Sequence, residues 1–134
     1  MKRQTPRVED YLEAIYHQAH DKGYTSTTDL SDKLQVKPPT VSIMLRKLDN
    51  DGYLVHEPYR GVRLTERGTK IAESVISRHH IISEFLSIIG VEEEEAQQDA
   101  EGIEHHLHPI TVHRIEKLVD FLKRNQAYLH DLRE

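Results

Sequence analysis

Residues 37–65, KPPTVSIMLRKLDNDGYLVHEPYRGVRLT, predict a helix followed by a two-stranded hairpin. Pro38 and Pro39 suit the first turn of a helix, where a missing N–H leaves no hydrogen bond unmade. The inward apolar positions at helical spacing are Val41, Met44, Leu45 and Leu48. Gly52 marks the end of this helix. The β-rich runs YLVHE and GVRLT flank the turn PYRG, which is the pattern of a hairpin.

Two amphipathic helices are predicted before this segment. Thr5 is the expected N-cap of the first and Pro6 its first helical residue, and DKG at 21–23 ends it. Its apolar stripe consists of Val8, Tyr11, Leu12, Ile15, Tyr16 and Ala19. Residues 25–36 predict a second helix with Leu30 and Leu34 inward. Three helices and a hairpin, in this order, indicate a winged helix-turn-helix.

Only helices are predicted after the hairpin. A long helix 4 runs from Thr65 to Gly90, helix 5 covers 92–107, and a further helix begins at Pro109. On or near one face of that last helix are Ile110, Ile115, Leu118, Val119 and Leu122. The predicted fold class is therefore mainly α, with an N-terminal winged helix-turn-helix domain at 1–70 and an all-helical domain at 71–134.

Composition restricts the possible functions of this 134-residue chain. Cysteine is absent, which excludes a disulfide framework, a thiolate metal site and a cysteine nucleophile. No apolar run reaches the roughly 18 residues of a membrane span, so we expect a cytoplasmic protein without a membrane partner. Residues 1–70 carry 12 Lys and Arg against 10 Asp and Glu, whereas 71–134 carry 6 against 13. This asymmetry indicates different partners for the two halves.

The third helix of a winged helix-turn-helix enters the major groove of DNA, so its outward residues are candidate DNA contacts. They are Pro39, Thr40, Ser42, Ile43, Arg46 and Lys47. Thr40 and Ser42 suit base edges. The cations suited to phosphates are Lys37, Arg46, Lys47, Arg60 and Arg63. A solvated helix beside an ordinary hairpin is the alternative, but the whole order of elements favours DNA binding.

Acidic and histidine residues on three predicted helices form a second candidate site. Helical spacing places Glu101, Glu104 and His105 on one face of helix 5, roughly opposite its apolar stripe of Ala96, Ala100, Ile103 and Leu107. His79 falls within the apolar stripe of helix 4, and Asp10 and Glu13 are neighbours on helix 1. Taken singly, each is more often a solvated carboxylate or a satisfied core histidine. His80 is interpreted as a structural histidine bonded to a carbonyl or hydroxyl, and His106 and His108 as surface or helix-end residues.

Convergence of these six side chains would create a metal site. Two carboxylates about 4 Å apart repel by roughly 4 kcal/mol at an effective dielectric constant near 20. Because two divalent cations would cancel four negative charges, charge balance favours a binuclear site. Oxygen-rich ligation with a minority of imidazoles suits Mn(II) or Fe(II).

Five segments together resemble the manganese transport regulators of the diphtheria-toxin-repressor (iron-dependent repressor) family. They are EDYLEAIY at 9–16, LRKLDNDGYL at 45–54, YRGVRLTERG at 59–68, RHHIISEFLSIIGV at 78–91 and DAEGIEHHL at 99–107. The resemblance implies a homodimeric repressor, with a metal-binding and dimerisation domain, that binds Mn(II) and then a palindromic operator near manganese-uptake genes. It also implies the same six metal ligands: Asp10, Glu13, His79, Glu101, Glu104 and His105.

The resemblance implies a binuclear site, with two ions per subunit. It favours manganese, because the iron-responsive branch has sulfur-bearing residues where Asp10 and Glu101 stand. We expect metal to cross-link helix 1 to helices 4 and 5. The helix 5 stripe, with Ile81 and Ile88, would form the two-fold interface. No organic cofactor is expected.

Three alternatives remain at the level of sequence. The same frame could respond to Fe(II), Zn(II) or Co(II) instead of Mn(II). A binuclear metallohydrolase would use two metals to activate water, but no Gly-rich phosphate loop or spare general base accompanies the cluster. A regulator of a small organic molecule would leave the acid cluster merely solvated.

Overall fold

The computed structural model describes residues 4–134 and divides the chain into two compact units, with the boundary between Ser74 and Val75. Residues 1–3, the start of the predicted N-terminal domain, lie outside the described residues. In the described part of the chain, no helix is both long and apolar enough to cross a bilayer.

Three helices open the N-terminal unit: α1 (Pro6–Gln18), α2 (Thr27–Leu34) and α3 (Pro38–Asn50). The predicted start of α1 is confirmed, since the side chain of Thr5 accepts a hydrogen bond from the N–H of Val8 and Pro6 occupies the first turn. Ser26 caps α2 in the same way by accepting from the N–H of Asp29. These side chains satisfy donors that the helix itself leaves unpaired.

A hairpin follows, with β1 (Leu54–Glu57) antiparallel to β2 (Gly61–Leu64). Leu54 pairs with Leu64 and Glu57 with Gly61. Thr25, before α2, adds a short bridge to Val62 through two backbone hydrogen bonds of 2.8 Å. The winged helix-turn-helix that the sequence predicted is confirmed.

Apolar residues from all of these elements form the core of the N-terminal unit. Its fully covered members include Leu12, Ile15, Leu30, Val41, Leu45, Leu48, Leu54 and Val62. The inward positions predicted for α1, α2 and α3 thus belong to one cluster, with Met44, Leu34 and Tyr16 partly buried at its edge. The exception is Ala19, which lies at the C-cap of α1 and outside the cluster.

The rest of the chain is helical. Helix α4 (Glu66–Ile88) is followed by α5 (Glu93–Ile103), α6 (Pro109–Arg124) and the short α7 (Leu129–Leu132). The predicted helix 5, 92–107, was too long, because a 3-10 turn covers Glu104–His106 and Leu107 is extended. Pro109 disfavours helical backbone at the residue before it, and the chain leaves the helix ahead of that point.

The core of the C-terminal unit corrects two further expectations. Ile88, Val119, Leu122 and Leu129 are buried together, with Phe85 and Ile115 at the edge. Ile88 was therefore wrong as a spare interface residue, because its own unit covers it. Of the apolar residues predicted on or near one face of α6, Ile110 and Leu118 are not part of the buried face, since they are 60% and 44% exposed. The buried face of α6 runs instead through Val112, Val119 and Leu122.

Candidate metal centre and nucleic-acid interface

Three of the six predicted metal ligands contact one another in the C-terminal unit. His79 projects from α4, and its Nδ1 lies 2.8 Å from Oε2 of Glu104. The His105 Nε2 lies 3.6 Å from the other oxygen, Oε1, of the same carboxylate. The Glu104 side chain is only 1% exposed. A nearly inaccessible carboxylate between two imidazoles is the central feature of this site.

Gln97 is a further member of the site that sequence reasoning missed. Its side-chain Oε1 lies 2.5 Å from Nε2 of His79, so the imidazole has a partner on both ring nitrogens. A histidine that ligates metal commonly donates its second ring N–H to an oxygen of this kind. Neither charge nor residue type distinguishes Gln97 in the sequence, and only the fold reveals its role.

The other three predicted ligands are more accessible. Glu101 is exposed, one helical turn before Glu104. On α1, Asp10 is exposed and Glu13 is partly buried, with its Oε2 3.7 Å from Nε2 of His17. Among residues 4–134, no group of three or more His, Asp or Glu side chains is arranged around a common point for a metal. The convergence of all six residues therefore stays a prediction.

The chemistry of the donors fits a divalent cation. Burying a carboxylate is costly unless it is paired, and here its neighbours are imidazoles, which ligate metals when neutral. The three side chains in contact supply one carboxylate and two imidazoles, and only the six predicted ligands together give the oxygen-rich set that suits Mn(II) and similar ions. His79, Glu104 and His105 thus have the donor chemistry of metal ligands, although their described side chains are not arranged around a common metal position.

The outward face of α3 carries the side chains predicted to contact DNA. Those exposed on or beside this helix are Lys37, Pro39, Thr40, Ser42, Ile43, Arg46 and Lys47. Ile43 is 66% exposed, which is unusual for a large apolar side chain and suits contact with a thymine methyl group. In the hairpin, Arg60 is exposed and Arg63 is partly buried.

Both hairpin arginines lie close to Glu57, which was not predicted as a site residue. Arg63 donates from Nε to Oε1 of Glu57 at 3.1 Å, and Nη1 of Arg60 lies 4.0 Å from Oε2. The hydroxyl of Tyr24 donates to the same Oε2 at 3.1 Å. The hydrogen bond from Arg63, followed by that from Tyr24, lowers the pKa of Glu57 below its usual range. The carboxylate therefore stays ionised at neutral pH.

Family models cover nearly the whole chain in two consecutive segments. Residues 4–62 match the N-terminal DNA-binding domain of the iron-dependent repressors. Residues 65–130 match the metal-binding and dimerisation domain of the same proteins. The chain belongs to the iron-dependent repressor family. This membership confirms the fold class and agrees with a DNA-binding face on the first unit and a metal site in the second.

Individual relatives extend the comparison. The chain is 44% identical over 130 residues to the HTH-type transcriptional regulator MntR of Shouchella clausii (strain KSM-K16), covering 97% of this chain and 91% of that protein. The MntR of Bacillus subtilis (strain 168) is also 44% identical, over 129 residues, covering 96% and 91%. Both relatives therefore match this chain across its N-terminal and its C-terminal unit.

Solved structures show the same architecture. The manganese regulator SloR superposes with a TM-score of 0.75 at 29% identity, covering 88% of this chain. The metal-dependent transcriptional regulator MtsR superposes with a TM-score of 0.78, also at 29% identity and covering 88% of this chain. The chain spans only 55% of the length of each of these two proteins.

Proposed function

We propose that this member of the iron-dependent repressor family is a Mn(II)-responsive transcriptional repressor that controls manganese-uptake genes. The observation that carries the proposal is the buried Glu104 carboxylate between His79 and His105. Relatives that match nearly the whole chain are named as transcriptional regulators, and SloR as a manganese regulator. The chain is a regulator and not an enzyme.

The proposed metal site consists of six side chains and takes two Mn(II) ions per subunit. The ligands are Asp10, Glu13, His79, Glu101, Glu104 and His105. A bound divalent ion supplies positive charge that offsets the repulsion among the carboxylates. Two ions balance four carboxylates, which supports the binuclear count. The cysteine-free, oxygen-rich donor set supports Mn(II) over Zn(II).

The division of these ligands between the two units supports the coupling of metal to DNA. Asp10 and Glu13 belong to the proposed DNA-binding domain, residues 1–70, and the other four ligands to the proposed sensing domain, 71–134. A shared site would restrain α1, and with it α3, in one arrangement. Metal and operator would then raise each other's affinity by the same factor.

The proposed partner is a palindromic operator bound by a homodimer in the cytoplasm. The dimerisation segment that matches the family model supports the dimer. Two recognition helices related by a two-fold axis would enter successive major grooves, about 34 Å apart. Base contacts are assigned to Thr40 and Ser42. Phosphate contacts are assigned to Lys37, Arg46, Lys47, Arg60 and Arg63.

Fluorescence anisotropy with a labelled duplex, selected from a random library in the presence of Mn(II), tests this function. We expect binding at least about tenfold tighter with Mn(II) than with a chelator, since allosteric coupling is typically 1–3 kcal/mol. Parallel titrations with Fe(II), Zn(II) and Co(II) compare the other metals. Equal affinity with Mn(II) and with chelator would reject the proposal.

A matched pair of histidine variants controls this experiment. His79→Ala removes the imidazole that contacts Glu104, and we expect it to abolish the effect of Mn(II). His80→Ala removes its exposed neighbour, which pairs with Glu84 at 3.2 Å. That second variant is expected to respond to Mn(II) like the wild type.

A further inference from the structure

The hairpin, residues 54–64, holds one acidic residue between two arginines. Glu57 lies on β1 and faces Arg63 on β2, while Arg60 occupies the connecting turn. The hairpin therefore carries a net charge of +1, and loss of the carboxylate charge would make it +2. Two cations suited to phosphate thus share an anion within the protein itself.

Tyr24, Glu57, Arg60 and Arg63 form a connected group, which we call the wing network. Each carboxylate oxygen of Glu57 accepts a hydrogen bond, Oε1 from Nε of Arg63 and Oε2 from the Tyr24 hydroxyl, both at 3.1 Å. Nη1 of Arg60 in turn donates to that hydroxyl at 3.4 Å, and its guanidinium lies 6.0 Å from the centre of the Tyr24 ring. The network directs both arginines towards one carboxylate.

We infer that Glu57 sets the sequence-independent part of the DNA affinity, by competing with DNA phosphates for Arg60 and Arg63. The inference rests on the proposed DNA-binding function. It adds a role for an acidic residue in the hairpin, where only Arg60 and Arg63 were predicted to contact DNA.

The energetics of DNA binding give the reason. The non-specific affinity of a protein for DNA, which does not depend on base sequence, comes almost entirely from cations that neutralise phosphates and release counterions. An arginine that already pairs with a carboxylate gains less from a phosphate, because it must weaken one ion pair to form another. Thr40 and Ser42 on α3, which are assigned to base edges, lie outside the wing network. Discrimination between sequences should therefore not depend on Glu57.

Glu57→Gln isolates the charge, since glutamine keeps the shape of the side chain and one acceptor oxygen. Anisotropy measures its binding to a mixed-sequence 30-bp duplex and to the selected duplex over a range of salt concentrations. Because the change is equivalent to about one extra phosphate contact per subunit, and so about two per homodimer, we expect affinity for both duplexes to rise about 25- to 100-fold near 0.1 M salt. The slope of log affinity against log salt should steepen by about 1.8 for the homodimer, and the ratio of the two affinities should not change.

Two controls make the test specific. Glu66→Gln removes an exposed carboxylate that pairs with Lys70 at 3.5 Å outside the wing network, and so measures the effect of net charge alone. In an Arg60→Gln/Arg63→Gln background, Glu57→Gln should no longer increase affinity. The inference is overturned if Glu57→Gln binds the mixed duplex no tighter than Glu66→Gln, or if its gain persists without the two arginines. Failure of the proposed function would appear separately, as wild-type binding that does not respond to Mn(II).

Discussion

Replacement of Glu104 by glutamine should remove most of the stabilisation that Mn(II) gives to the protein. The side chain is 1% exposed and its Oε2 lies 2.8 Å from Nδ1 of His79. Glutamine preserves the size of the side chain but removes the negative charge and one strong acceptor. Because the amide lacks the negative charge that attracts a divalent cation, the variant should lose metal affinity with little change in packing volume.

The expected size of the effect follows from ligand linkage. A ligand present at 100 times its dissociation constant stabilises the folded protein by about 2.7 kcal/mol. For a chain of this length, 1 kcal/mol corresponds to about 3–5 °C in Tm, so each Mn(II) ion bound at that concentration should raise the wild-type Tm by about 8–13 °C. In the absence of metal, Glu104→Gln loses a charge-assisted hydrogen bond, worth about 1.5–3 kcal/mol, but also relieves the cost of burying a charge. Because these two effects oppose each other, the wild type and Glu104→Gln should differ mainly in how far Mn(II) raises their Tm.

Differential scanning calorimetry of both proteins with Mn(II), with Mg(II) and with chelator measures this response. Glu116→Gln, which alters a half-exposed carboxylate 4.0 Å from His113, serves as the matched control and should retain the full shift. If Mn(II) raises the Tm of Glu104→Gln as much as that of the wild type, Glu104 is not a ligand and the reasoning fails.

Three further predictions concern the N-terminal unit and are read from Tm or denaturant unfolding. Gly68→Ala should destabilise by about 1–3 kcal/mol or more, because its Cβ would lie 2.0 Å from the carbonyl oxygen of Tyr53. Gly102→Ala, with nothing within 4 Å, is the control, and equal Tm values would contradict the expected clash. Ser26→Ala should cost about 1 kcal/mol through loss of the α2 cap, and an unchanged Tm would argue against that cap. The hydrogen bond from Arg63 lowers the pKa of Glu57 in the folded protein. The ionised Glu57 side chain therefore stabilises the fold above the unfolded pKa of about 4.3, and this stabilisation is lost as the pH falls through the lower native pKa. Wild type and Glu57→Gln should therefore converge in stability below that range, and a difference that is constant with pH would contradict this.

Local signals in the sequence were sufficient for the winged helix-turn-helix. Thr5 with Pro6 defines the start of α1, and the apolar spacing in 37–65 defines α3 and its buried face, because caps and helical periodicity depend on neighbours along the chain. Helical spacing also placed His79 in the apolar stripe of the predicted helix 4, and we expected it to converge with acidic residues of helix 5. The structure places that histidine against Glu104.

Other features depend on tertiary contacts that a single sequence does not encode locally. The partnership of Gln97 with His79 joins residues 18 positions apart, and that of Tyr24 with Glu57 joins residues 33 apart. Burial of Glu9, which is 2% exposed on α1, was likewise not foreseen, since acidic residues are ordinarily solvated. In α6 the apolar residues surround much of the helix, and periodicity did not distinguish the buried face from exposed Ile110.

Crystals grown with Mn(II), with diffraction collected at the manganese absorption edge, provide the most direct measurement of the metal site. Two anomalous peaks per subunit are predicted, ligated by the six proposed side chains, with Asp10 and Glu13 of α1 contributing to the same pair of ions as His79 and Glu104. A single weak peak at the surface, or ions held without any ligand from α1, would contradict the claim that metal restrains the DNA-reading helices.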